Sequence, residues 1–443
     1  MNKGLMTSGS IWKHIIMFSI PLLFGNLFQL MYNTIDSIIV GQYVGKTALA
    51  AVGASTPLIN LLISFFMGLS VGAGVISSRY YGGKKVSELT DTVHTFITFS
   101  FIFGIILSII GVFMSETFMI WMKTPSDVLV EATDYLRIYF YGCIFVCLYN
   151  GATGLLQSVG DSKSPLYFLA ISSVINTVLD LYFVKNLNMG VKGAAWATLI
   201  AQGVSCVLVL LKLMLTSQPY RLKISKLKMD KKILKDIVNI GIPAGVQGMI
   251  VSLSNVMVQS YINNFGSASI AGFSSALKFD NFLGLPVNSF SLAITTFSGQ
   301  NLGAGLYKRV KEGIKITIIL SVVTVIILGI IVFIYAKECI SIFSNDPEVI
   351  KTGASVIRIM VPFYTSLCFH QTYSGTIRAA GKSIPPMVIS VFSFVVVRQI
   401  MLAIFMPLVL DIRLIAFSYS ITWSIAMFIT LLYFKRNNIL EQN

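Results

Sequence analysis

Polar and charged residues of this chain gather into short clusters, and between them run apolar stretches of membrane length. A helix needs roughly 20 apolar residues to cross the hydrocarbon of a bilayer. On that measure the pattern predicts spans near 15–40, 57–78, 95–115, 134–158, 166–184 and 193–212. A second set is predicted near 236–262, 273–298, 314–336, 355–377, 387–410 and 414–434. The only long basic stretch, TSQPYRLKISKLKMDKKILKD, lies between the sets. The expectation is an all-α polytopic membrane protein of twelve helices. An N-terminal lobe covers 1–216, a basic cytoplasmic linker 217–235 and a C-terminal lobe 236–443. No small-residue cleavage site follows a short apolar core at the N-terminus, so its apolar part reads as the first retained helix.

The two sets resemble each other at a steady offset of 221–222 residues. SIPLLFGN at 19 faces GIPAGVQG at 241, and GLLQSVGDSKSP at 154 faces GTIRAAGKSIPP at 375. TPSDV at 124 faces DPEVI at 346, and YLRI at 135 faces VIRI at 356. Agreement at one offset in four places indicates a duplicated six-span unit. Six is even, so both copies enter the membrane from the same side. Parallel pseudo-symmetric halves are a transporter architecture, with the substrate path at their interface.

Composition strengthens this picture. The chain is 55% hydrophobic and 12% charged, with a mean hydropathy of +0.80, whereas a soluble protein is roughly one quarter charged. A net charge of +15 would suit a nucleic-acid binder, but the basic residues sit in short loops between spans. With the N-terminus inside, the cytoplasmic segments hold 22 of the 33 Lys and Arg. The outer loops hold only Lys46, Lys123, Lys185, Lys192, Lys337, Lys351 and Arg413. That asymmetry places both termini in the cytoplasm and the chain in the cytoplasmic membrane, with no nucleic-acid partner. Five scattered cysteines without a C-x-x-C point to neither a disulfide framework nor a metal site.

Three carboxylates fall inside spans: Asp36, Asp180 and Asp280. A carboxylate in lipid costs several kcal/mol, so such groups face the bundle interior or a wet cavity. Asn26, Gln29, Asn33 and Asp36 are spaced three, four and three, a polar stripe along one helix. Asn176 lies one turn before Asp180 on the same face. Spans 1 and 5 both run outward, which puts Asp36 and Asp180 at similar depth, and Thr198 in the returning span 6 lies level with them. Asn150 in span 4 is nearer the midplane and within reach of the same group. Two close carboxylates in a poorly solvated site cannot both stay ionised, so the pair would accept a proton in the physiological range. The same oxygens suit Na⁺. The competing reading is a buried polar network that only fixes helix packing.

The second half has Val258 and Met401 where the offset faces Asp36 and Asp180, so ion coupling is expected in the first lobe. Asp280 has Lys278 two residues away, and these diverge on a helix; Arg398 is the alternative partner, in a structural salt bridge or a gate. His370 is expected as a hydrogen-bonded packing histidine, with a proton relay as the other reading. Met31, Tyr32, Tyr139 and Tyr149, close in sequence to the polar residues, are candidates to line a cavity for flat lipophilic cations. Walker A, H-E-x-x-H and G-x-S-x-G patterns do not occur, so ATP hydrolysis and these enzyme chemistries are not indicated.

The chain resembles the multidrug and toxic compound extrusion (MATE) family of cation-coupled efflux transporters. The likeness is carried by SIPLLFGNLFQLMYNTIDSIIVGQYVG (19–45), GLLQSVGDSKSPL (154–166) and VINTVLDLYFVKNLNMGVKGAAWATLIAQ (174–202). GIPAGVQ (241–247) and FSGQNLGAG (297–305) add to it. The resemblance implies a drug/H⁺ or drug/Na⁺ antiporter of two six-helix lobes forming a V. In one branch of that family the cation site takes an Asp in span 1, an Asn and an Asp in span 5, a Thr in span 6 and an Asn in span 4. These match Asp36, Asn176, Asp180, Thr198 and Asn150. Another branch uses acidic residues in spans 7 and 10, where this chain has Val251 with apolar neighbours and no carboxylate.

The resulting expectation is a monomeric secondary antiporter, not an enzyme. It would need no cofactor beyond its coupling ion, and its partners would be small organic cations and the bilayer. A lipid-linked oligosaccharide flippase is the nearest rival, but it calls for a large basic cavity, and Lys278 and Arg398 are few. An integral membrane enzyme would need a sizeable catalytic loop, and a channel fits duplicated halves less well than alternating access does.

Overall fold

The computed structural model describes residues 4–440, in which every regular element is helical. In chain order these are α1 (Ile11–Tyr43), α2 (Lys46–Gly82), α3 (Val86–Trp121), α4 (Ser126–Tyr141), α5 (Cys143–Ser158), α6 (Lys163–Asp180), α7 (Gly190–Leu215) and α8 (Lys231–Ile262). They continue with α9 (Ser267–Gly303), α10 (Tyr307–Ile334), α11 (Ala336–Ser341), α12 (Pro347–Met360), α13 (Tyr364–Ala379), α14 (Ile384–Val391), α15 (Arg398–Phe405) and α16 (Arg413–Arg436). Without water in the bilayer core, backbone groups must be satisfied within each segment, which is why an apolar chain of this kind is helical. The helices extend past the predicted apolar runs, because their polar ends continue the backbone ladder beyond the hydrocarbon.

Two predicted spans are broken. Residues 134–158 fall on α4 and α5, which bend by 49° at Gly142. Residues 355–377 fall on α12 and α13, parted by the tight turn Val361–Phe363, where Pro362 removes a backbone donor. Two others widen into a π-helical turn, Leu181–Asn186 after Asp180 and Phe392–Val397 before Arg398. Such turns cost helical hydrogen-bond geometry, and each here abuts a buried charged side chain.

Among the described residues, ten helices can cross a membrane by length and composition, or eleven with α4 and α5 counted as one bent span. The expected twelve differs at α9, a 37-residue helix that is not among them. Its polar residues Ser289, Ser291, Thr295, Thr296, Ser298, Gln300 and Asn301 are buried within protein, where they need not be apolar. Large apolar side chains such as Phe113, Ile319 and Ile327 point outward, as a lipid-facing surface requires.

The chain forms two compact units, one of residues 1–5 and 20–245, the other of 6–19 and 246–443. The division thus falls inside α1 and α8, and the basic segment 217–235 belongs to the first unit. In that unit two G-x-x-x-G stretches face each other: a Cβ on Gly68 would lie 2.1 Å from Gly245 N, and one on Gly72 2.4 Å from Ile237 O. Only glycine allows backbones so close, a common device for packing helices in lipid. The second unit has its own core around Phe273, Tyr364, Tyr419 and Trp423. It also holds the N-terminal segment: Met6 N–H donates to Gln300 Oε1 at 2.8 Å, and Arg309 Nη2 donates to Gly9 O at 2.8 Å.

Candidate functional site

In the first unit α1, α4, α6 and α7 bring polar side chains together in an otherwise apolar core. Asp36 lies one turn after Tyr32 on α1, and Asp180 is the last residue of α6 before the π-helical turn. Asp36 and Asp180 are 7% and 0% exposed, and their carboxyl groups meet within hydrogen-bonding reach. Thr198 on α7 ties the surroundings together: its Oγ1 accepts from Tyr32 Oη at 3.4 Å and from Asn176 Nδ2 at 3.5 Å.

Donors are missing at the centre. Asp36 Oδ1, both oxygens of Asp180 and Asn176 Oδ1 are buried and face no hydrogen-bond donor among the described residues. The two carboxyl groups lie within reach of each other, and two carboxylates bond only when a proton is shared between them. Buried acceptors without donors cost on the order of 1–3 kcal/mol each. A proton or a hard monovalent cation is what this donor-poor oxygen cluster would attract.

Other candidates fall differently. Asn150 does not join the cluster: its Nδ2 donates to Val146 O, one turn back on α5, at 2.8 Å. Depth in the membrane was a sound reason to consider it, but rotation about the helix axis aims it elsewhere. The polar stripe of α1 is split, because Gln29 and Asn33 are exposed while Asp36 is buried. Met31 is exposed, Tyr139 is half-buried beside the cluster, and Tyr149 donates to Pro165 O at 3.4 Å. Tyr135 was missed. It is buried on α4 and lies within electrostatic reach of Asp36, Asp180, Tyr32 and Tyr139. Its spacing of four from Tyr139 puts both rings on one helix face.

The second unit handles its carboxylate in another way. Tyr364 Oη donates to Asp280 Oδ1, and also approaches Asp280 O at 3.0 Å. Arg398 makes no ion pair with Asp280, so of the two expected roles, salt bridge or gate, the salt bridge is not formed. The guanidinium instead lies 3.9 Å over the Tyr419 ring and donates to Asn255 Oδ1 at 3.4 Å and Thr422 Oγ1 at 3.3 Å. Lys278 turns outward to the Phe343 ring, 4.3 Å away. Asp280, Asn255, Gln259, Asn281 and Tyr419, together with Val256, Ile262 and Leu277, line a cavity of mixed polarity of about 340 Å³. His370 is fully buried, with Nδ1 at 2.8 Å from Thr430 Oγ1 and Nε2 at 3.1 Å from Ser390 Oγ. Both ring nitrogens are engaged with hydroxyls, the arrangement of a packing histidine.

The sequence profile of the MatE family matches residues 21–182 and again 243–404. The chain belongs to the MatE family. Among its relatives is "Probable multidrug resistance protein YoeA" of Bacillus subtilis, 32% identical over 87% of this chain and 84% of that protein. Another, "Probable multidrug resistance protein YpnP" of the same organism, is 30% identical over 90% of this chain and 89% of its own. The fold is shared with a solved multidrug resistance MATE family transporter in its outward-facing conformation, at a TM-score of 0.93 and 22% identity, covering 100% of this chain and 99% of that one. MatE-family chains are multi-pass membrane transporters and not enzymes, and this protein is one of them.

Proposed function

We propose that this MatE-family protein is a secondary antiporter that exports amphipathic organic cations in exchange for inward H⁺ or Na⁺. The observation that carries the reading is the contact between Asp36 and Asp180 in a buried site whose acceptor oxygens face no donor. Ion binding there satisfies those oxygens and alters packing among α1, α6 and α7. For coupling, ion and cargo must favour different conformations, so that loading one releases the other. Asn176, Thr198, Tyr32 and Tyr135 position the pair.

The two family matches begin 222 residues apart, at 21 and 243, and end 222 apart, at 182 and 404. This supports two six-helix repeats and twelve spans, with α9 as the less apolar counterpart of α2. The clustering of Lys and Arg in alternate loops supports cytoplasmic termini. The multidrug names of the relatives favour drug export over a flippase. A single chain carries the whole cluster, which is consistent with a functional monomer.

The test is efflux of a fluorescent organic cation from reconstituted vesicles under separately imposed pH and Na⁺ gradients. Wild-type protein responds to at least one gradient, and Asp36→Asn loses that response. An Asp36→Asn protein that still follows the gradient fully contradicts the reading.

A further inference from the structure

The segment that joins α7 to α8 is a pinned structure and not a slack connector. Leu222 N–H donates to Leu213 O at 2.9 Å, Lys223 N–H to His94 Nε2 at 3.0 Å, and Asp230 N–H to Thr95 Oγ1 at 3.1 Å. Tyr220 and Leu222 bury their side chains in the first unit's core. The backbone is thereby held so that the remaining side chains are displayed.

What it displays is strongly basic. Seven Lys and Arg lie between 221 and 235. Two are engaged: Arg221 Nε donates to Met214 O at 2.9 Å, and Lys228 Nζ pairs with Asp91 at 2.7 Å. Lys223, Lys226, Lys231, Lys232 and Lys235 are exposed and have no ion pair among the described residues. Of the nearby acids, Asp91 is taken by Lys228, Asp230 caps the N–H groups of Lys232 and Ile233, and Asp236 is half-buried.

A second feature points to an anion. Lys231, Lys232 and Lys235 open α8, where Asp230 already accepts from two of the first N–H groups and supplies a single negative charge against three lysines. Cations at the positive end of a helix dipole are unfavourable, and one capping carboxylate does not balance three of them, so an added anion would meet uncompensated lysine charge. Between the lysines stand Ile224, Leu227 and Met229, which are 63%, 43% and 39% exposed. Both α7 and α8 are membrane-length helices, so the segment lies at a membrane face. Basic residues interleaved with exposed apolar ones at that level match the chemistry of a lipid headgroup region.

We infer that residues 221–235 form a docking site for anionic phospholipid headgroups. The free lysines hold phosphate oxygens, while Ile224, Leu227 and Met229 reach toward the glycerol and upper acyl chain. A purely topological signal would act through charge alone during insertion and would not require a backbone fixed at three places.

The test uses the full chain in phosphatidylcholine vesicles with trace spin-labelled lipid. Labelled phosphatidylglycerol should associate on the order of fivefold more strongly than labelled phosphatidylcholine. The combined Lys226→Gln, Lys231→Gln, Lys232→Gln and Lys235→Gln variant should bring that ratio close to one. A control losing the same charge elsewhere, Lys46→Gln, Lys123→Gln, Lys337→Gln and Lys351→Gln, should keep it. A preference that persists in the first variant, or disappears equally in the control, overturns the inference. Should the first variant not fold, wild-type protein in about 0.5 M salt decides, because a surface electrostatic preference must then shrink and an unchanged ratio refutes the site. Full displacement of the label by millimolar inorganic phosphate would assign the patch to free phosphate and also refute it.

Discussion

The two units hold their intramembrane charges by different means. In the first, Asp36 and Asp180 are set against each other, with acceptor oxygens that no donor meets. In the second, Asp280 is met by the Tyr364 hydroxyl, and Arg398 is spread over a ring, an amide and a hydroxyl. A buried polar group that is fully paired stabilises one arrangement, whereas one left unpaired responds to whatever ion arrives. On the proposed function, responsiveness belongs to the carboxyl pair of the first unit, while Asp280 and Arg398 of the second hold protein partners, with Arg398 Nε alone facing none among the described residues.

The strongest way to break that contrast is Asp180→Asn. Gradient-driven efflux should fall by at least about tenfold, the scale of an interaction on which turnover depends. Measured in vesicles, the same rate with and without the substitution would erase the distinction between the units. Next in size is Gly68→Ala, whose new methyl meets the Gly245 backbone at 2.1 Å. It should destabilise the protein by about 1–3 kcal/mol, read as a lower melting temperature, because neither backbone can yield cheaply. The second unit uses the same device elsewhere, where a Cβ on Gly272 would lie 2.7 Å from Val349 O, so the effect reads packing in the first unit alone.

Tyr364→Phe sharpens the contrast from the other side. Asp280 borders the cavity, so water can replace part of the lost bond, and the expected cost is about 1 kcal/mol with ion coupling unchanged. A melting curve and the vesicle assay read the two quantities separately. Loss of coupling would move ion exchange into the second unit.

The smallest effect concerns Asp411 in the loop before α16, whose carboxyl is held below the usual range by hydrogen bonds from Arg413. A lowered folded value contributes stability above the ordinary Asp range, near about 3.9, and that contribution is lost as pH falls further. Exposed pairs contribute little, so between pH 7 and 5 the wild-type melting temperature should be flat and only slightly above that of Asp411→Asn, the small gap closing as pH falls below about 4. A clear difference in that window would mean that the exposed pair carries more than exposed pairs usually do.

Much of this was legible in the sequence because the bilayer imposes simple costs. The apolar spans and the isolation of Asp36 and Asp180 in apolar runs follow from burial energetics. Rotation of a helix about its axis is not written in one sequence, which is why Asn150, level with the cluster, turned out to bond Val146 instead. Tyr364 and Asp280 are 84 residues apart and on different helices, and no local spacing announces their bond. Arg398 looked like the partner of Asp280 because charge suggested it, whereas it lies over an aromatic face and donates to two neutral acceptors. α9 was predicted as a span, but its polar face is buried by neighbouring helices, so its composition is less apolar than its place in the order.

The most direct measurement is a double-substitution cycle on Asp36→Asn and Asp180→Asn, reading gradient-driven efflux from vesicles for the wild type, each single variant and the pair. If the two carboxyl groups work as one ion-exchanging unit, the double variant loses no more than the worse single variant. Losses that multiply would show two independent sites and contradict the account.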